Sequence, residues 1–132
     1  MADLRIAILD SDSGFVRVLV KRAGDLGWQY RCLEAPPPID EFVAMRVNAL
    51  VVDLALLGPG GWEFLERVSG ALPGMGVIVC TGRTSVAQRV RGLRLGADDW
   101  LTKPATATTT AATTRAIRAF LDMRGGSMPT GC

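Results

Sequence analysis

The chain has 132 residues, of which 48% are apolar and 21% charged, with a formal net charge of +2 and no histidine. That length suits one compact domain with a core of its own, and so small a charge excess gives no argument for binding nucleic acid or a membrane surface. The missing histidine removes Ser–His and Cys–His catalysis and every imidazole-ligated metal site.

Taken in chain order, five apolar runs of strand length alternate with helical patterns. Leu4 to Leu9 reads as the first strand. Ser13 is a candidate cap for a helix in which Phe15, Leu19, Ala23 and Leu26 recur on one face, and Gly27 ends it. Trp28, Tyr30 and Cys32 alternate with Gln29 and Arg31, as in a half-exposed second strand. Pro36 to Pro38 leads into a short helix over Asp40 to Met45, followed by a third strand, Ala49 to Val52, and a helix centred on Trp62 to Val68. Val77 to Cys80 is a buried, β-branched fourth strand. Val86, Val90 and Leu93 mark the face of the next helix, which Gly96 ends. Asp99 to Thr102 is a short fifth strand, and a last helix is expected from about Thr106 to Met123. Five strand–helix repeats predict an α/β fold, a doubly wound parallel sheet with helices on both faces. The domain is expected over 1–122, with 123–132 as a flexible tail or linker.

The cysteines, Cys32, Cys80 and Cys132, lack metal-ligand spacing. The first two lie in apolar runs and are expected to be buried, and the third to be an exposed thiol in a reducing compartment. No apolar run approaches the roughly 20 residues of a membrane-spanning helix, and the N-terminus has no secretory pattern, so a cytoplasmic location is expected.

In a sheet of this kind the reactive groups collect beyond the carboxyl ends of the strands. Asp10 and Asp12 follow strand one, Asp53 follows strand three, Thr81 follows strand four and Lys103 follows strand five. Like charges held together are costly without a cation between them, so a lysine and a divalent metal are the natural compensation. A donor set of oxygens alone suits Mg²⁺.

These positions resemble the receiver domain of bacterial two-component response regulators. The similarity runs from Leu4 to Pro104 and is tightest in RVRGLRLGADDWLTKP, Arg89 to Pro104, near the OmpR/PhoB subfamily. Around the third strand, VVDLALLGPGGWEFL keeps the aspartate, Gly61 and Phe64 at the family's spacing. The resemblance implies a flavodoxin-like (CheY-like) sheet of strand order 2-1-3-4-5. It also implies that Asp53 accepts a phosphoryl group from a histidine kinase or phosphotransfer protein. Mg²⁺ would be bound by Asp53, the Ala55 carbonyl and the acidic pocket. Lys103 and Thr81 would contact the phosphoryl group, and Trp100 would turn inward on activation. No direct nucleic-acid or membrane contact is expected of this domain. An output domain beyond the C-terminus, with a role in transcription, is one arrangement the family allows.

Several positions depart from the family pattern. Ser11 stands where a second, metal-ligating acid is usual, so weak Mg²⁺ binding is expected. Leu57 replaces a proline, which predicts a differently shaped loop. Arg89 and Asp99 keep one side of the ion pairs that join such domains, whereas Thr109 and Thr113 occupy the opposing positions, so a monomer or weak dimer is expected. Ala55 and Arg83, which border the path of a hydrolytic water, offer no general base and predict a long-lived phosphorylated state. Two other readings stay open: a receiver fold acting as a phosphorylation-independent binding module, and a haloacid-dehalogenase-type phosphatase with Asp10 as nucleophile. The chemistry expected is self-phosphorylation and self-dephosphorylation rather than turnover of a separate substrate.

Overall fold

Strands β1 (Arg5–Leu9), β2 (Gln29–Leu33), β3 (Ala49–Val52), β4 (Gly76–Thr81) and β5 (Asp99–Thr102) form one parallel sheet in the order β2-β1-β3-β4-β5. This is a computed structural model, and it describes residues 4–82, 85–103 and 112–119. Every residue of β3 and β4 is buried, which is why both read as unbroken apolar runs: a parallel sheet is covered on both faces.

Alternate residues of each strand feed two separate cores. Ala7, Leu9, Leu50, Val52, Val77 and Val79 face helices α2 (Ile39–Met45) and α3 (Gly61–Ala71), packing on Phe42, Leu65 and Val68. Ile6, Ile8, Ala49, Val51, Ile78 and Cys80 face α1 (Ser13–Asp25) and helical residues 112–119, packing on Phe15, Leu19 and Ile117. The register sets Leu9 beside Val52, Val52 beside Val79 and Thr81 beside Thr102. The strands therefore end almost level, and the residues that follow them share one rim.

Four expectations change. The cap of α1 is Asp12, whose side chain accepts from the Phe15 N–H, and not Ser13. Cys32 is exposed, because β2 is an edge strand with little covering it, and Tyr30 is 47% exposed for the same reason. In α4 (Val86–Leu95) the stripe Val86, Val90 and Leu93 faces outward, at 80%, 43% and 43% exposure, and the buried residue is Gly92. The periodicity identified an apolar face, and the structure leaves that face uncovered. Thr113, expected at an interaction face, is fully buried, with its hydroxyl 3.4 Å from the Cys80 sulfur. It belongs to the helical face that carries Ile117 into the sheet. The start of the last helix, Thr109, and the tail 123–132 lie outside the described residues, as does Arg83.

Candidate functional site: a carboxylate rim around one lysine

Asp10 and Asp53 directly follow neighbouring strands, and the Asp53 N–H donates to the Leu9 carbonyl at 3.1 Å. Across β4, the Lys103 N–H donates to the Thr81 carbonyl at 2.8 Å, which aims the residue after β5 back over the sheet. Its ammonium donates to Asp10 Oδ1 and Oδ2 at 3.0 and 2.8 Å and to Asp53 Oδ2 at 3.2 Å. Asp12 Oδ2 lies 3.6 Å away. The side chains of Lys103 and Asp10 are 7% and 1% exposed, that of Asp53 15% and that of Asp12 41%. The Phe15 ring, 4.9 Å from the ammonium, closes the site from below and adds an attractive π-face.

The backbone holds the other oxygens. Asp10 Oδ1 accepts from the Asp12 N–H at 2.9 Å, Asp12 Oδ1 from the Phe15 N–H at 3.1 Å, and Asp53 Oδ1 from the Ala55 N–H at 3.0 Å. Burial pushes the Asp10 carboxyl above its ordinary value, while the Lys103 contacts and the Asp12 N–H pull it back. Burial acts against the Lys103 ammonium too, but its hydrogen bond to Asp10 and the charges of Asp10 and Asp53 outweigh that and raise its pKa. These shifts oppose one another across one ion pair. The two short contacts favour the ionised pair.

Three carboxylates against one ammonium leave an excess of two negative charges, and all the donors are hard oxygens. In charge and donor type the rim fits a dication such as Mg²⁺. In arrangement, the ammonium takes the point where the carboxylates converge. Among the described residues no group of three acidic, histidine or cysteine side chains is disposed to hold a metal. Ser11 is exposed and brings no charge. The residues thus accept a hard dication but do not form a ready cage for one.

Other expected site residues fall nearby. Thr81 is buried at 3% exposure and, with Ala55, Gln88, Trp62 and Trp100, lines a cavity of about 260 Å³. Trp100, expected to turn inward on activation, is inward at 3% exposure. The Leu57 loop is a 3₁₀ segment, Leu54–Gly60, turned at Gly58 with φ 62°. Arg89 is exposed, and the Asp99 carboxylate accepts from the Trp100 N–H at 2.8 Å.

The sequence reading missed Phe15 as a site residue, and it missed the partners of Trp100, namely Gly92 and Trp62. One signal was available. A glycine inside a helix is worth about 1 kcal/mol less than alanine, so Gly92 needed a packing reason.

The response regulator receiver domain family matches residues 6–115, and the chain belongs to that family. Response regulator MprA of Mycobacterium tuberculosis is 30% identical over 102 residues, which are 76% of this chain and 44% of MprA. The chain thus spans about half the length of such relatives. Its fold is that of a CheY-like receiver domain protein from Methanospirillum hungatei, with a TM-score of 0.78 and 24% identity over 96% of this chain and all of that one. It is also the fold of DrrB, an OmpR/PhoB homologue from Thermotoga maritima, with a TM-score of 0.75 and 21% identity over 93% of this chain and 54% of that one. No helix among the described residues is long and apolar enough to cross a membrane.

Proposed function

We propose that this receiver accepts a phosphoryl group on Asp53 from the phosphohistidine of a histidine kinase or phosphotransfer protein. The observation that carries the reading is the single buried ammonium of Lys103, shared between Asp10 and Asp53. Asp53 is the acid at the end of a central strand, it is partly open to solvent, and the Ala55 N–H fixes its orientation. An oxygen of Asp53 forms the new O–P bond as the P–N bond to the donor imidazole breaks, and the electron pair stays on the imidazole nitrogen. Lys103 then exchanges part of its carboxylate contact for a phosphoryl oxygen, and the Thr81 hydroxyl donates to another. Positioning and charge compensation are the work required of the protein in such a transfer.

Asp10, Asp53 and the Ala55 carbonyl would hold Mg²⁺, with Asp12 acting through water, and affinity is low because Ser11 is neutral. When bound, the ion neutralises charge on the phosphoryl oxygens. The domain works in the cytoplasm as a monomer or weak dimer and passes its signal to an output partner.

Asp53→Asn, exposed to acetyl phosphate or a phosphorylated kinase with Mg²⁺, should lose phosphoryl incorporation measured by intact mass. Normal labelling of that variant, together with loss in Asp10→Asn, would transfer the role to Asp10 and the phosphatase reading. The binding-module reading draws its support from Ser11, exposed and neutral where the family has a metal-ligating acid. It predicts a partner whose affinity is the same for wild type and Asp53→Asn.

A further inference from the structure

The starts of the strands carry a second charged cluster, opposite in sign to the rim. In the register of β1 and β2, Arg5 stands beside Gln29 and Ala7 beside Arg31. Alternate residues of a strand share a face. Ala7 lies in the core that faces α2 and α3, and Leu33 packs against it, so Arg5, Gln29 and Arg31 project on that same side. Helix α2 ends at Met45, and the chain turns through Arg46, left-handed at φ 54°, to reach Val47. Beyond the helix end is a cavity of about 220 Å³ whose lining includes Arg5, Gln29, Arg31, Met45 and Val47. Met45 and Val47 also pack on the core and form its apolar wall.

No carboxylate lines this cavity, and among the described residues neither Arg5 nor Arg31 has an ion-pair partner. Both are exposed, so the site is open to a ligand from solution. Their Cα atoms lie one strand apart and two residues along, a separation of about 8 Å, so both guanidinium groups can reach one ligand. The carboxyl end of α2 lends only a partial negative charge, and two cations this close repel unless an anion lies between them. From this geometry we propose that the cavity binds a small phosphate monoester, its dianionic head between Arg5 and Arg31 and its apolar body against Met45 and Val47. Two guanidinium groups neutralise a phosphate dianion, whereas a single carboxylate would leave them in excess. Their planar forks match phosphate oxygens in pairs, and the Gln29 amide can donate to a further oxygen. The volume is below the roughly 300–1,000 Å³ of sites for drug-sized ligands, which restricts the ester group to a small one. Asp10 lies past the far end of β1, about 16 Å from Arg5, and the rim's excess of carboxylates repels an anion. Binding here does not depend on Asp53 being the phosphoacceptor.

The test is titration of the whole ¹⁵N-labelled chain with phenyl phosphate, followed by amide chemical shifts. Ionic strength is held constant and Mg²⁺ is left out, so that no phosphoryl transfer to Asp53 intervenes. Saturable shifts are expected at Arg5, Gln29, Arg31 and Val47. Arg5→Gln and Arg31→Gln should each weaken binding at least about tenfold, and the two together should abolish it, while dispersed spectra show that the variants fold. Met45→Ala should weaken phenyl phosphate and leave inorganic phosphate as it was. Benzoate should bind at least about tenfold more weakly than phenyl phosphate, and Asp53→Asn should bind as wild type does. No saturable shift at these residues, or unchanged affinity in the arginine variants, overturns the site. Benzoate that binds as tightly as phenyl phosphate overturns the choice of a phosphate. A short single-stranded oligonucleotide that shifts the same amides at far lower concentration overturns the small ligand in favour of a nucleic acid. Weaker binding in Asp53→Asn overturns the independence of this site from the rim.

Discussion

At the rim, three carboxylates surround one ammonium. Beside α4, two indoles and a guanidinium stack over a missing side chain. Both regions lie toward the carboxyl edge of the same sheet, and both bring together residues far apart in the chain. The rim is under tension: its acids outnumber its cation, and it gains from any positive charge that arrives. At the α4 contact the two rings stack on each other and Arg91 covers Trp62, while both rings also border a cavity of about 260 Å³. The difference bears on which part responds to a new charged group. A new positive charge is attracted to the acidic cluster, whereas the apolar rings offer it no charge and displacing Trp100 leaves a void over Gly92.

The most severe way to break this contrast is to remove the cation from the rim. Lys103→Met strands three carboxylates, two of them largely buried, and should destabilise the fold by about 3–5 kcal/mol at neutral pH, read from urea unfolding. Adding Asp10→Asn should recover a good part of that loss. If Lys103→Met unfolds like wild type, the ammonium is not what holds the rim. The pH dependence has a definite sign. The folded-state pKa of Lys103 is raised above its ordinary 10.5, so its contribution is fully present below that value and is lost as pH rises through the raised one. The wild-type and Lys103→Met unfolding curves should therefore converge at strongly alkaline pH.

At the α4 face, the corresponding test adds a methyl group. Gly92→Ala gains about 1 kcal/mol of helix propensity, but the new Cβ meets the Trp100 ring, and overpacking of this kind costs about 1–3 kcal/mol. A net loss of stability is expected, and Trp100→Leu in the same chain should relieve it. A Gly92→Ala variant more stable than wild type would mean that α4 moves aside without penalty, and the contact would count as loose.

A smaller effect sharpens the rim. Ser11→Asp adds an acid beside a cluster already in negative excess and should tighten Mg²⁺ binding about tenfold, or ~1.4 kcal/mol. Quenching of tryptophan fluorescence during a Mg²⁺ titration measures it. Without metal the same variant should be slightly less stable, since the added charge meets only repulsion. Equal Mg²⁺ affinity in the two forms would show that Asp12 already serves as the missing acid.

The residues of the rim were legible in the sequence because strand ends can be located from one-dimensional pattern. β3 and β4 are unbroken apolar runs, and their ends mark Asp53 and Thr81. A parallel sheet with short connections brings such ends together whatever the details of packing. That Lys103 compensates the acids was legible as well, and its ammonium indeed contacts Asp10 and Asp53; that it takes the very point where they converge was not, because a side chain's reach across two strands depends on register and twist. The exposure of the α4 face was not legible for a related reason. Val86, Val90 and Leu93 recur at helical spacing, but periodicity shows only that a helix has an apolar side, not whether another layer covers it. Thr113 likewise looked like a surface position until the helix phase turned it onto Cys80. The sequence by itself determined the order of elements, the sheet and the set of chemical groups at its edge, since these follow from local pattern and chain connectivity. Only the tertiary structure decided that Lys103 occupies the acidic pocket and that Trp100 fills the space over Gly92. Both depend on which atoms meet, and in the case of Gly92 on an atom that is not there.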